Sequence, residues 1–180
     1  LAKRHKIIAF SSNYTLYADM SNRVMKVLAR FSPRQEVYSI DECFLDLDGF
    51  KDADKYGQRI RSTVKRLLGL PVCVGIGATK TLAKLASHVA KKRLGFAGVC
   101  DFNALEPIAL ERLFSEIKVG EVWGVGSRTG KRLAELGIHT VLDLRRARSI
   151  RKQFSVVLER TVRELNGESC LPLEEVAPPK

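Results

Sequence analysis

The chain has 180 residues, 45% of them apolar and 28% charged, a composition that buries a core and excludes a disordered tail. No apolar run approaches the roughly 18 residues that a membrane span needs, and no charged, apolar and small-residue signal pattern opens the sequence. Lys and Arg number 31 against 20 Asp and Glu, a net charge of +11 that favours a polyanionic partner, nucleic acid first. That charge is segregated. Arg61 to Cys100 carries eight Lys and Arg and no acid, whereas Asp41 to Asp54 carries six acids and one Lys.

In chain order, Ile7 to Phe10 reads as a short strand. Asn13 caps a helix over 14–31, with Leu16, Met20, Val24, Val27, Leu28 and Phe31 at helical spacing and Ser32-Pro33 as the stop. Glu36 to Asp48 reads as two short strands, EVYSI and CFLDL, closed by Gly49. An amphipathic helix follows over 52–68. Pro71 to Gly77 is a β-branched run of buried-strand type, and a second helix over 79–93 leads to a short strand near Val99. This order is a split β-α-β-β-α-β unit with its first strand weak or missing, a ferredoxin-like α+β layer. Beyond Phe102 the pattern is all-helical: 104–114, then a helix, a Gly-Val-Gly turn and a helix over 119–136, a helix capped by Thr140 and Asp143, and a last one over 154–166. Ser169 to Lys180 reads as a linker. The division expected is 1–102, 103–172 and a tail over 173–180.

The four cysteines, Cys43, Cys73, Cys100 and Cys170, are far apart, with no C-x-x-C pair, and read as reduced thiols. His5, His88 and His139 have no partner at ligand or nucleophile spacing. Three other groups carry chemistry. Asp41 and Glu42 are adjacent carboxylates between apolar strand residues. On a straight strand they face opposite ways, but at a hairpin tip both reach one side. There they are either an exposed acidic turn or hard-oxygen ligands for Mg²⁺, and two such ions about 4 Å apart activate a hydroxyl and neutralise a triphosphate. Asp46 and Asp48 read as solvated strand-end acids. Gly75-Ile76-Gly77-Ala78-Thr79-Lys80 leads a buried strand into a helix N-terminus, where backbone N–H groups favour phosphate. Lys80 and Lys84 stand one turn apart on that helix. The spacing is not that of a Walker A loop. Trp123-Gly124-Val125-Gly126 with Arg128 and Lys131 is either a plain αα-hairpin or a helix-hairpin-helix, whose glycines let the backbone approach a DNA phosphate without reading bases. Trp123 itself reads as core.

Taken together, these segments resemble the Y-family DNA polymerases. Y-S-I-D-E-C-F-L-D-L resembles the family's S-I-D-E motif, and V-G-I-G-A-T-K-T-L-A-K-L-A its G-I-x-x-x-K-x-x-A-K segment. V-W-G-V-G-S-R-T-G-K-R-L resembles its thumb helix-hairpin-helix. F-S-S-N-Y-T-L-Y-A-D-M-S and V-V-L-E-R-T-V-R-E-L-N-G-E are similar to the UmuC/MucB/ImpB branch. The resemblance implies a ferredoxin-like palm over 1–102, an all-helical thumb over 103–172 and a linker toward a little-finger domain. It implies Asp41 and Glu42 as metal-binding catalytic carboxylates, Ser39 as their support and Lys80 as a triphosphate ligand with Lys84 as helper. Gly124, Gly126, Arg128 and Lys131 become the DNA contacts. Two Mg²⁺ ions, primer–template DNA and deoxynucleoside triphosphates are implied, as are processed UmuD dimer, RecA and sliding clamp as partners, in the bacterial cytoplasm. The family's first metal-binding aspartate and its aromatic gate against ribonucleotides lie on a first strand and fingers that match nothing here. With Leu1 in first place, the sequence reads as an excerpt that does not polymerise alone. The rival readings are a non-catalytic DNA-binding remnant and a nucleotidyl cyclase, which has no use for the thumb.

Overall fold

A computed structural model of the protein describes residues 4–8, 10–148 and 150–174. Helix α1 (Tyr14–Leu28) starts where Asn13 Oδ1 accepts the Leu16 N–H at 3.0 Å. Strands β1 (Gln35–Val37) and β2 (Cys43–Leu45) pair antiparallel, Gln35 opposite Leu45 and Val37 opposite Cys43. Helix α2 (Ala53–Leu68) packs on α1. It is fastened by the Tyr56 hydroxyl, which donates to the Phe31 carbonyl at 2.7 Å, and it ends at Gly69, whose φ of 72° suits a residue without Cβ. Strand β3 (Val74–Ile76) runs into α3 (Lys80–Lys92), capped by the Thr79 hydroxyl on the Leu82 N–H, and returns as β4 (Val99–Asp101), parallel to β3. Then come α4 (Pro107–Glu116), α5 (Ser127–Glu135), α6 (Val141–Arg146), α7 (Ile150–Gln153) and α8 (Val156–Leu165). None of these helices is long and apolar enough to cross a membrane.

Several boundaries differ from the sequence pattern, each for a local reason. Ile7, Ile8 and Phe10 form no strand; they pair with no strand among the described residues, and Phe10 is 88% exposed. Ala9 lies outside the described residues. The strand expected over 36–40 ends at Val37 because the chain must turn there: the N–H groups of Tyr38 and Ser39 both donate to the Glu42 carbonyl. Helix α4 begins at Pro107 rather than Ala104, since proline lacks the N–H that a first-turn residue leaves unused. The helix expected from Val119 is a single 3₁₀ turn over 119–121. The last helix begins at Val156, where the Ser155 hydroxyl caps it. All four cysteines are free thiols. Cys100 is fully buried, and desolvation, aided by Asp101 and Asp54, pushes its thiol up to about 12.

Among the described residues the β structure is two separate pairs, β1–β2 and β3–β4. The main apolar core belongs to the second pair and the helices after it: Leu85 and Val89 of α3 pack with Phe102, Phe114, Leu144 and Leu165. A smaller core of Val27, Phe31, Ile60 and Val64 joins α1 to α2. Between the two pairs lies a cleft of about 810 Å³, lined by both β2 and β3.

Candidate active site

Asp41 and Glu42 stand at the end of the β1–β2 hairpin, on the lip of that cleft. Gly75 to Lys80 and Lys84 form the opposite wall. The turn puts Asp41 next to Ser39, whose hydroxyl donates to the Asp41 carboxylate at 2.7 Å. Lys84 reaches across from α3 and donates to both Glu42 oxygens, at 2.8 and 3.0 Å. Its ammonium also lies 4.6 Å from the Tyr38 ring centroid and 5.1 Å from that of Trp123. Trp123 packs edge-on against Tyr38 with centroids 5.3 Å apart, and its indole N–H donates to the Tyr38 hydroxyl at 3.2 Å. Trp123 is therefore more than filler. It joins the Gly124 turn to the acid hairpin.

Lys80 is arranged differently. Its ammonium is spent on the Glu36 carboxylate and on the Pro172 carbonyl at 2.7 Å, and it rests 5.2 Å from the Phe44 ring centroid. The side chains of Lys80 and Glu36 are each 10% exposed, against 48% for Glu42. The structure thus brings Lys84 to Glu42 of the acid pair and gives Lys80 a buried partner of its own. Sequence reasoning missed Glu36, an acid that opens an apolar strand. It also missed Glu164, which has no exposed surface. The available signal for Glu164 was its position on the buried side of α8, beside Leu158, Thr161 and Leu165.

At the other end of the aromatic bridge, Gly124 adopts φ +86°, which only glycine takes without strain. Gly126 is the N-cap residue of α5, and no side chain caps that helix. A Cβ built on Gly126 would meet nothing within 4 Å, and Arg128 and Lys131 are exposed on the helix it opens. An open backbone turn, a bare helix N-terminus and two cations lie together here, a chemistry suited to phosphate.

Asp41 and Glu42 are hard oxygen donors of the kind Mg²⁺ accepts. Among the described residues, no group of three or more His, Cys, Asp or Glu stands where it could hold a metal ion. The pair fits a divalent cation as part of a larger ligand set, with Lys84 balancing Glu42 in its place.

The α+β fold with its helical second half resembles that of solved DNA polymerases. The chain overlays a Dbh DNA polymerase, solved as an insertion ternary complex, with a TM-score of 0.74 and 24% identity. The overlay covers 93% of this chain and 49% of that one, and a Y-family DNA polymerase chimera of Dbh and Dpo4 overlays with a TM-score of 0.71 and 24% identity. The model of the impB/mucB/samB family matches residues 1–88. Protein UmuC of Salmonella typhimurium (strain LT2) is 53% identical over 99% of this chain and 43% of its own length. Protein MucB of Escherichia coli is 51% identical over 100% of this chain and 44% of its own length. The chain is thus similar along its whole length to UmuC and MucB, its first 88 residues match the impB/mucB/samB family model, and it spans less than half the length of these relatives.

Proposed function

We propose that this chain is the palm-and-thumb part of an error-prone translesion DNA polymerase of the bacterial SOS response, which extends a primer opposite damaged template. The observation that carries this reading is the acid pair on a hairpin tip facing a lysine-bearing helix across an open cleft, bridged through Trp123 to a bare helix N-terminus. The palm spans 1–102, the thumb with its helix-hairpin-helix 103–172, and the linker 173–180. The large core runs through α3 into the helices beyond Phe102, so the two parts pack as one body.

In the complete enzyme, Asp41 and Glu42 would help to hold Mg²⁺, which would supply activation of the primer 3′-hydroxyl and charge neutralisation of the triphosphate. Ser39 fixes the Asp41 carboxylate by its hydrogen bond. Lys84 offers the nearer cation for the nucleotide phosphates, and Lys80 becomes a second once it leaves Glu36. Attack of the 3′-hydroxyl on the α-phosphate expels pyrophosphate. A third carboxylate belongs on a strand that enters the cleft between β2 and β3, since each of those strands has a pairing edge free among the described residues. Gly124, Gly126, Arg128 and Lys131 grip the duplex backbone. By family likeness, processed UmuD, RecA and a sliding clamp are the partners, in the cytoplasm.

The test is fluorescence anisotropy of this chain on a primer–template duplex, titrated with salt, together with a primer-extension assay. Binding should weaken with a log–log slope near −0.9 for each phosphate contacted, and this chain alone should add no nucleotide. Absence of binding at low salt overturns the reading. A second reading, a non-catalytic DNA-binding remnant, rests on the exposed Gly126 turn with Arg128 and Lys131, which grips a duplex without any metal. Asp41→Ala in the longer protein separates the two: it abolishes primer extension in a polymerase and changes nothing in a remnant.

A further inference from the structure

Residues 169–174 follow α8 with neither helix nor strand, yet their backbone is not left to water. Glu164 Oε1 accepts the N–H groups of Cys170 at 2.6 Å and Leu171 at 3.2 Å, and Oε2 accepts the Thr81 N–H at the start of α3 at 3.0 Å. The Glu164 carbonyl takes the Thr79 hydroxyl at 2.9 Å. A second hold lies further along. Pro172 O accepts from Lys80, and the Glu174 N–H donates to Glu36 at 2.7 Å, on the same oxygen that takes the Lys80 ammonium. Four backbone groups of this strap are thus bound by two buried carboxylates and one lysine. The strap also forms a wall of the catalytic cleft, through Ser169, Leu171, Pro172 and Leu173.

We propose that this strap is a latch on the nucleotide side of the cleft, fixed at Glu164 and releasable at Lys80. This deepens the polymerase reading and rests on it. The two holds differ in kind. Glu164 binds only backbone N–H groups, at the positive end of α3, and no ligand of the cleft competes for them. Lys80 is a flexible ammonium that a polyphosphate can recruit. When it is recruited, the Pro172 carbonyl loses its donor and the buried Glu36 carboxylate loses its neutralising charge, which is costly at 10% exposure. The unpaired Glu36 carboxylate then turns toward water and takes its acceptor oxygen away from the Glu174 N–H, so the strap loosens beyond Leu171 and stays fixed before it. Phosphate binding is in this way coupled to the hold on residues 172–174.

The experiment uses inorganic tripolyphosphate as probe on the 180-residue chain, with binding followed by calorimetry and amide hydrogen exchange read residue by residue. At saturation the Glu174 amide should exchange about tenfold faster while Cys170 and Leu171 stay protected. Lys80→Met should make Glu174 exchange fast from the start and insensitive to the probe. Binding heat with unchanged Glu174 exchange overturns the latch and leaves the polymerase reading standing. No binding heat overturns both, because the cleft then takes no phosphate. The wild-type measurement alone decides, whether or not the Lys80 variant folds.

Discussion

A methyl group on residue 75 would stand 2.0 Å from the Ser87 amide nitrogen and 2.2 Å from the Ala83 carbonyl oxygen. Both are backbone atoms of α3 and cannot swing aside, so the glycine sets how closely β3 and α3 approach. Gly75→Ala should cost about 2–3 kcal/mol of stability, read from the urea midpoint. Gly126→Ala is the contrasting case. It has open space and an ordinary φ of −73°, so it should cost under ~1 kcal/mol and act on DNA affinity instead. The two glycines look alike in sequence, both within a G-x-G triplet. Only the surroundings tell a packing glycine from an exposed one. The lysines teach the same lesson. Lys80 and Lys84 are equivalent by helical spacing, but α3 is set so that one meets buried Glu36 and the other exposed Glu42.

Among the elements, α6 has the most complete start. The Thr140 hydroxyl accepts the Asp143 N–H, and Asp143 Oδ2 accepts the N–H groups of Thr140 and His139. Slight burial pushes the Asp143 carboxyl up, but these hydrogen bonds outweigh it and hold the group below its ordinary 3.8. A depressed carboxyl stabilises the fold above the unfolded-state value and loses that contribution as pH falls through the folded one. Melting temperature should therefore drop on acidification below about pH 3.8, and Asp143→Asn should flatten part of that drop. The Thr140–Asp143 cap was legible because a capping box uses residues three apart. Most of the other helices were legible too, since their apolar spacing is local, but the helix expected from Val119 is a single 3₁₀ turn and the short α7 was not anticipated. The strands were less so. Each is three residues long, and their ends are set by partners distant in sequence, as with Val37, where Glu42 turns the chain.

At the level of the whole molecule, the two cores are unequal. The larger one links α3 to α8 through Phe102 and Phe114, whereas the hairpin side rests on four buried residues. Native-state hydrogen exchange should find the slowest amides in α3 and α8 and the fastest in the first turns of α1, where Tyr14 and Tyr17 are exposed. Uniform protection would contradict this ranking. The sequence by itself determined the α+β order, most of the helices, the Asn13 and Thr140–Asp143 caps, the basic charge and the motif of adjacent acids. All of these depend on residues within a few positions of one another or on simple sums. The tertiary structure alone decided that the sheet stands as two pairs around a cleft, that Lys84 and not Lys80 meets Glu42 of the acid pair, and that Glu36 and Glu164 hold the strap. Lys84 meets Glu42 across 42 positions, Glu164 meets Thr81 across 83 and Glu36 meets Glu174 across 138, while Glu164 reaches Cys170 and Leu171 only six and seven positions on. Which groups face each other at the long separations follows from helix and strand packing, not from local pattern.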